Sequence, residues 1–270
     1  MRYPFFVQRN QLQQWIAGGH LAVLRKLAGN RAMPIKYWLM VRNLMRILSY
    51  RGSGLTVSSL EEPADQVGIP QLEESLGGCS VGAWRLDAPT IRMLWSSLEL
   101  LGPTTILEFG SGTSTVVLAS YAASRRNRLA RIVSVEQNEW ALADTRARLA
   151  EKHLDSYAEV FHAPVTPAGA YRLDPGVLQA SFHECRPNWI LIDGPVGPPG
   201  CRVHTLLEYG RLCAPGARWF LDDAFRNGEL NALSRWSRTP GIEVEGIYPV
   251  GKGLATGIIS RPELIPDPCG

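Results

Sequence analysis

The chain has 270 residues, 45% of them hydrophobic, enough to bury a full core in one α/β domain with an extension or in two small domains. Its 28 Lys+Arg against 25 Asp+Glu leave a net charge of +3, which by itself selects no partner. The five cysteines (Cys79, Cys185, Cys201, Cys213 and Cys269) are odd in number and widely spread, without a Cys-x-x-Cys pair, so neither a disulfide framework nor a zinc site is expected.

Residues 1–60 hold nine basic residues (Arg2, Arg9, Arg25, Lys26, Arg31, Lys36, Arg42, Arg46 and Arg51) and no acid, the first acid being Glu61. The remaining residues hold 19 basic and 25 acidic side chains. Residues 11–28 and 33–50 read as two helices, broken at Gly29-Asn30 and Pro34. In the second, Tyr37, Val41, Leu44, Met45 and Leu48 share a face at three- and four-residue spacing, with Lys36, Arg42 and Arg46 largely outside it. Two readings of this front end stand: contact of residues 1–51 with an anionic membrane surface, or an apolar face packed on the core as a lid or homodimer surface. The packing reading is preferred. The basic residues form no cluster of five or more, so no nucleic-acid partner is expected. No apolar run approaches the ~20 residues of a membrane span, and Pro4-Phe5-Phe6-Val7 is too short for a signal-peptide core. The expectation is a soluble, cytoplasmic protein. Residues 51–80, rich in Gly, Ser, Pro and acids, read as a linker with a short helix near Gln71–Leu76. Residues 1–80 are thus set apart from a second domain at 81–270.

From about residue 84 short apolar runs alternate with helical stretches, the signature of βαβ units and a mainly parallel sheet. The runs are Thr105–Phe109, Arg131–Val135, Glu159–Ala163, Trp189–Ile192 and Arg218–Leu221; the helices are Ser114–Ser124, Glu139–Lys152, Pro175–Glu184 and His204–Cys213. Two further strands, Ile242–Tyr248 and Ala255–Ser260, follow each other across Gly251-Lys252-Gly253 and form an antiparallel hairpin.

Chemistry concentrates at the first run. In Glu108-Phe109-Gly110-Ser111-Gly112-Thr113-Ser114-Thr115 a strand delivers the chain to a turn where Gly110 and Gly112 supply unusual dihedrals and let a ligand approach the backbone. Thr113, Ser114 or Thr115 can cap the helix that follows, leaving N–H groups toward the ligand. A dinucleotide site requires Gly-x-Gly-x-x-Gly. Here Thr115 stands at the third glycine, and Glu108 would repel a pyrophosphate. A carboxylate there suits S-adenosylmethionine (SAM), which carries an ammonium and a sulfonium. Glu136 ends the next strand, 28 residues after Glu108, where a carboxylate can accept both ribose hydroxyls.

The segment from about Trp84 to Ser260 resembles a class I SAM-dependent methyltransferase, and within that superfamily the catechol- and caffeoyl-CoA-type O-methyltransferase branch, which shares the Glu-x-Gly-x-Gly-x-Ser-Thr form seen at Glu108 to Thr115. The resemblance implies a Rossmann-like α/β fold with a mostly parallel seven-stranded sheet ending in an antiparallel hairpin, behind a helical N-terminal extension. It implies SAM binding through Glu108, Gly110, Ser111, Gly112, Ser114, Thr115, Glu136 and Gln137, with Ala163, in the loop after the third strand, near the adenine. Asp193 ends the fourth strand, where ligands of open α/β sheets bind. It is the first candidate for a general base and a further cofactor contact, with His204 and Asp223 also in catalytic roles. In metal-dependent relatives the equivalents of Asp193, Asp222 and Asp223 hold a divalent cation, and three carboxylates suit Mg²⁺. Two departures count against it: the pair is Asp222-Asp223 instead of Asp-Asn, and Val196 replaces a lysine often found three residues after the first acid. Metal-bound and metal-free readings both stand. Arg202 and Arg226 can clamp an anionic or sugar-like acceptor. The absence of an Asn-Pro-Pro-Tyr-type tetrapeptide after the fourth strand argues against amino-group methylation of adenine or glutamine. The expectation is O-methylation of a small molecule or glycan; an aminopropyl transferase and a non-catalytic SAM-binding scaffold remain as alternatives.

Overall fold

The computed structural model describes residue 86 and residues 88–266, apart from 125–129, 184, 249 and 251. The two basic helices, the linker and the expected boundary at residue 80 lie outside the described residues, as does Gly251 of the expected hairpin turn. The elements run α1 (Ala88–Leu101), β1 (Thr105–Phe109), α2 (Thr113–Ser124), β2 (Arg131–Glu136), α3 (Glu139–Glu151), β3 (Ala158–His162), α4 (Pro175–Ser181), β4 (Trp189–Ile192), α5 (Val203–Tyr209), β5 (Ala217–Leu221), α6 (Asn227–Trp236), β6 (Ile242–Tyr248) and β7 (Leu254–Ile259). They form a seven-stranded sheet in the order β3-β2-β1-β4-β5-β7-β6. β1 to β5 are parallel, and β7 runs antiparallel between β5 and β6. Among the described residues no helix is long and apolar enough to cross a membrane.

Helices cover both faces of the sheet, so its central strands are buried on each side and read as continuous apolar runs. Leu107, Phe109, Val133, Val135, Ile190 and Ile192 pack with α4, α5 and α6. Ile106, Ile132, Trp189 and Leu191 pack with α1, α2 and α3. Trp189, Trp219 and Trp236 are fully buried, and burial of side chains of this size stabilises the fold by roughly 2–3 kcal/mol each. Beneath the strand ends, Phe109 stacks on Tyr171 with ring centroids 5.6 Å apart and leans on Tyr209 at 5.3 Å. The Tyr209 hydroxyl donates to Tyr171 O at 3.1 Å and Leu173 O at 3.0 Å, tying the β3–β4 crossover to the core.

The strands stand within a residue of their expected positions. The helices depart more. α1 and α6 were not anticipated: α1 buries Ile91, Leu94, Trp95 and Leu98, a three- and four-residue stripe hidden behind Pro89, while α6 opens on Asn227-Gly228, which reads as a turn. The helix expected at Pro175–Glu184 ends at Ser181 because His183 takes a left-handed φ of 48°. The one expected at His204–Cys213 ends at Tyr209 and tightens into a 3₁₀ turn over Gly210–Leu212.

Candidate active site

β1 and β4 are neighbours in the sheet but are reached by crossovers on opposite sides, so their carboxyl ends open a crevice of the kind that binds ligands. Here the crevice is drawn tight. Asp193 N and Gly194 N both donate to Phe109 O, at 2.8 and 2.6 Å. Gly110 takes φ +94°, and a Cβ on it would stand 2.7 Å from Gly194 N. This glycine is needed twice over, for its conformation and for the close approach of the two loops. Gly112, at φ +159°, also holds a conformation that L side chains rarely adopt, and a Cβ there would meet nothing within 4 Å. It borders open space.

α2 starts at Thr113, and of the three expected caps Thr115 binds the turn's backbone. Thr115 Oγ1 accepts from Gly112 N at 3.0 Å, the reach-back half of a capping box. The same hydroxyl donates to Glu108 Oε2 at 2.5 Å, and Ser134 Oγ donates to that oxygen at 2.7 Å. Glu108 is wholly buried, and its other oxygen, Oε1, has no hydrogen-bond partner. Burial pushes its carboxyl up to about 7, while hydrogen bonds from Ser114, Thr115 and Ser134 pull the other way.

Glu136 binds the glycine turn from the next strand. Its Oε2 accepts from Ser111 N at 2.8 Å and Ser111 Oγ at 3.2 Å, and its Oε1 accepts from Asn138 N at 2.8 Å. Gln137 makes a reciprocal pair with the loop after β4: its Nε2 donates to Val196 O at 2.8 Å and its Oε1 accepts from Val196 N at 2.7 Å. Ala163 departs from expectation. It is fully buried in the core, and its N–H is taken by Glu136 O at 2.8 Å, leaving it no face toward a ligand.

The acids at the ends of β4 and β5 do converge: Asp193, Asp222 and Asp223 each place an oxygen within 4.8 Å of the others. Asp193 is the open member, with a side chain 24% exposed against 4% for Asp223. Burial raises the Asp193 carboxyl above its usual range, the Arg202 guanidinium opposes that, and Asp223 adds to the rise. Asp222 is pushed well up by burial and then by Asp193 and Asp223.

Arg202 does not point outward to clamp an acceptor, as its sequence position allowed. It is 3% exposed. Its guanidinium donates to Asp193 O, to Asp222 O at 3.0 Å and to Asp193 Oδ1 at 3.4 Å, and lies 3.6 Å from Asp223 Oδ2 and 3.7 Å from Glu229 Oε1. Arg226, half exposed, also turns inward and pairs with Asp223 at 2.7 Å. Lys252 stands 3.5 Å from the same carboxylate. Asp223 is therefore a counter-ion held by three cations at a left-handed φ of 58°, a poor position for a base. His204 is not drawn in: its ring pairs with Glu208 one helical turn on, at 3.3 Å.

Three participants escaped sequence reading. Glu229 and Lys252 carry no local signal; only the packing of α6 and the hairpin onto β5 brings them in. Tyr171 sits in an irregular crossover. Its buried hydroxyl has no hydrogen-bond partner and lies against Gly194, so close that a Cβ there would overlap it. Burial, then the Glu136 carboxylate, raises its phenol well above the usual range.

Comparison with known proteins defines the fold. No protein-family model matches the chain, and no curated protein matches it in sequence. Solved structures do. An O-methyltransferase from Bacillus cereus in complex with S-adenosylhomocysteine (SAH) superposes with a TM-score of 0.52 at 19% identity, covering 74% of this chain and 94% of that one. The O-methyltransferase TomG from Streptomyces achromogenes, in complex with SAM, gives 0.51 at 14% identity, covering 80% and 96%. The SAH-bound methyltransferase PaMTH1 from Podospora anserina gives 0.51 at 15% identity, covering 82% and 96%. The chain has the Rossmann-like fold of the class I O-methyltransferases, with the mostly parallel seven-stranded sheet and the terminal hairpin that the sequence led one to expect.

Proposed function

We propose that the protein is a SAM-dependent O-methyltransferase acting on a hydroxyl of a small molecule or glycan. The observation that carries this reading is the placement of Glu108, Glu136 and Asp193 at the carboxyl ends of the three adjacent strands β1, β2 and β4, around the crevice beside Gly110–Gly112. The solved structures of this fold named with SAM or SAH bound support the same choice of methyl donor.

The residues fit that donor. Gly112 borders open space, and Glu108 keeps one buried oxygen without a partner, suited to an ammonium. Glu136, already accepting from the Ser111 N–H, offers carboxylate oxygens as acceptors for a ribose diol. When bound, SAM supplies a methyl carbon on a sulfonium leaving group. Asp193 would then face the acceptor and take up its hydroxyl proton as the methyl group is transferred and SAH is released. Its raised carboxyl range brings its basicity closer to working pH. His204, paired with Glu208, takes no part in this scheme.

Calorimetric titration with SAH, with NAD as control, tests the reading. SAH binds the wild-type chain and NAD does not. Glu136→Gln, which halves the charge-assisted acceptors offered to the ribose, weakens SAH by about tenfold or more. Absence of SAH binding by folded wild-type protein overturns the proposal. Mass analysis of the product then separates methyl from aminopropyl transfer.

A further inference from the structure

The three clustered carboxylates invite a divalent cation, but the position such an ion requires is already occupied by positive charge. Mg²⁺ demands oxygen ligands in a near-ideal octahedron at roughly 2.0–2.1 Å. Between Asp193 and Asp223 lies instead Nη2 of Arg202, 3.4 Å from one carboxylate and 3.6 Å from the other. This guanidinium cannot easily step aside. Its side chain is 4% exposed, its Nη1 donates to Asp222 O at 3.0 Å, its Nη2 also donates to Asp193 O, and its Nε faces Glu229 Oε1 at 3.7 Å. Each edge of the planar group meets an acceptor. Guanidinium has five N–H donors and no lone pair to offer a metal, and it keeps its charge at any working pH.

Three cations already face the four carboxylates without an ion. Asp193, Asp222, Asp223 and Glu229 face Arg202 at the centre, with Arg226 2.7 Å and Lys252 3.5 Å from Asp223 at the rim. A dication among these groups would stand within contact range of a fixed monocation, and the repulsion would fall in a site with little water to screen it.

We propose that Arg202 takes the place of a divalent cation in this site, so that Asp193 is oriented by a guanidinium and the reaction needs no metal. Arg202 is then a positioning residue. It grips Asp193 through both its backbone carbonyl and its carboxylate, which fixes the one open acid of the cluster at the end of β4. The inference rests on the methyltransferase reading for its catalytic consequence, but the cation exchange itself does not depend on SAM binding.

Mn²⁺ titration followed by electron paramagnetic resonance of the free ion tests it, alongside the SAH titration. The wild-type chain leaves the free Mn²⁺ signal undiminished at millimolar metal, and Mg²⁺ changes neither its Tm nor its SAH affinity. Arg202→Met, which keeps the length of the side chain and removes its charge, uncovers the carboxylates and gains Mn²⁺ affinity by about tenfold or more. Arg202→Lys retains a cation and gains none, and Arg226→Ala and Lys252→Ala, truncations of half-exposed side chains, also gain none. Mn²⁺ binding by the wild type that is abolished by Asp193→Asn overturns the proposal, whether or not Arg202→Met folds; so does a folded Arg202→Met protein with no gain. Failure of SAH to bind would leave these metal outcomes intact and strike only the methyltransferase reading.

Discussion

Gln137 and Val196 are joined by two hydrogen bonds, side-chain amide to backbone amide, at 2.8 and 2.7 Å. Because the sheet runs β2-β1-β4 here, this clasp fastens the loop after β2 to the loop after β4 across the end of β1. Gln137→Ala removes both bonds, a change of about 1–2 kcal/mol in the local opening equilibrium. The Val196 amide will exchange with solvent faster, by hydrogen exchange mass spectrometry, while global stability is little altered. SAH will also associate faster in stopped-flow measurements, since the β4 loop no longer has to be released. Unchanged exchange at Val196 would remove the clasp.

Glu108 makes stability depend on pH in a defined direction. Its carboxyl is raised from 4.5 to about 7 by burial. Below 4.5 it is protonated in folded and unfolded chains alike and contributes no pH dependence. Between 4.5 and about 7 the unfolded chain ionises while the folded one holds its proton, so stability falls as pH rises, by about 3 kcal/mol in all. Glu108→Gln cannot ionise. Its Tm will exceed that of the wild type at pH 8, and the gap will close toward pH 4.5. A gap of constant size across that range would contradict the assignment.

Tyr171 carries a buried hydroxyl with no partner at the floor of the crevice. Removing an unsatisfied buried polar group is neutral or favourable by about 1 kcal/mol, so Tyr171→Phe will unfold in urea at the wild-type midpoint or above it. A loss of more than about 1 kcal/mol would show that the hydroxyl is bonded in solution. SAH titration of the same variant tells whether a ligand uses it.

Gly110→Ala will be more destabilising than Gly112→Ala. The first forces an L side chain to φ +94° and places its Cβ 2.7 Å from Gly194 N, whereas the second meets nothing within 4 Å. The expected cost at Gly110 is about 2 kcal/mol or more from backbone strain and overlap. At Gly112 only the strain of φ +159° remains, so Tm falls less, while the added methyl enters the space assigned to the ligand and SAH affinity falls. Denaturant midpoints and SAH titrations of the two variants separate these effects.

The sequence by itself determined the strands, the hairpin and the carboxylates of the crevice. A parallel sheet covered on both faces forces its strands to be short, largely apolar runs, and several here close on an acid, as Val135 gives way to Glu136, Ile192 to Asp193 and Leu221 to Asp222. That is a local pattern, visible without partners. α1 and α6 were less legible, since Pro89 and Asn227-Gly228 disguise their starts as turns.

Only the tertiary structure decided what the acids face. Arg202, from the start of α5, looked free to reach an acceptor, but the packing of α5 against β4 and α6 turns it into the carboxylates and shuts out water. Glu229 and Lys252 arrive from elements more than twenty residues downstream of it. Electrostatic roles depend on distance and burial, and neither is written in the spacing of residues along a chain. The sequence supplied three acids suited to a metal; the fold supplied, from the same chain, the cation that answers them.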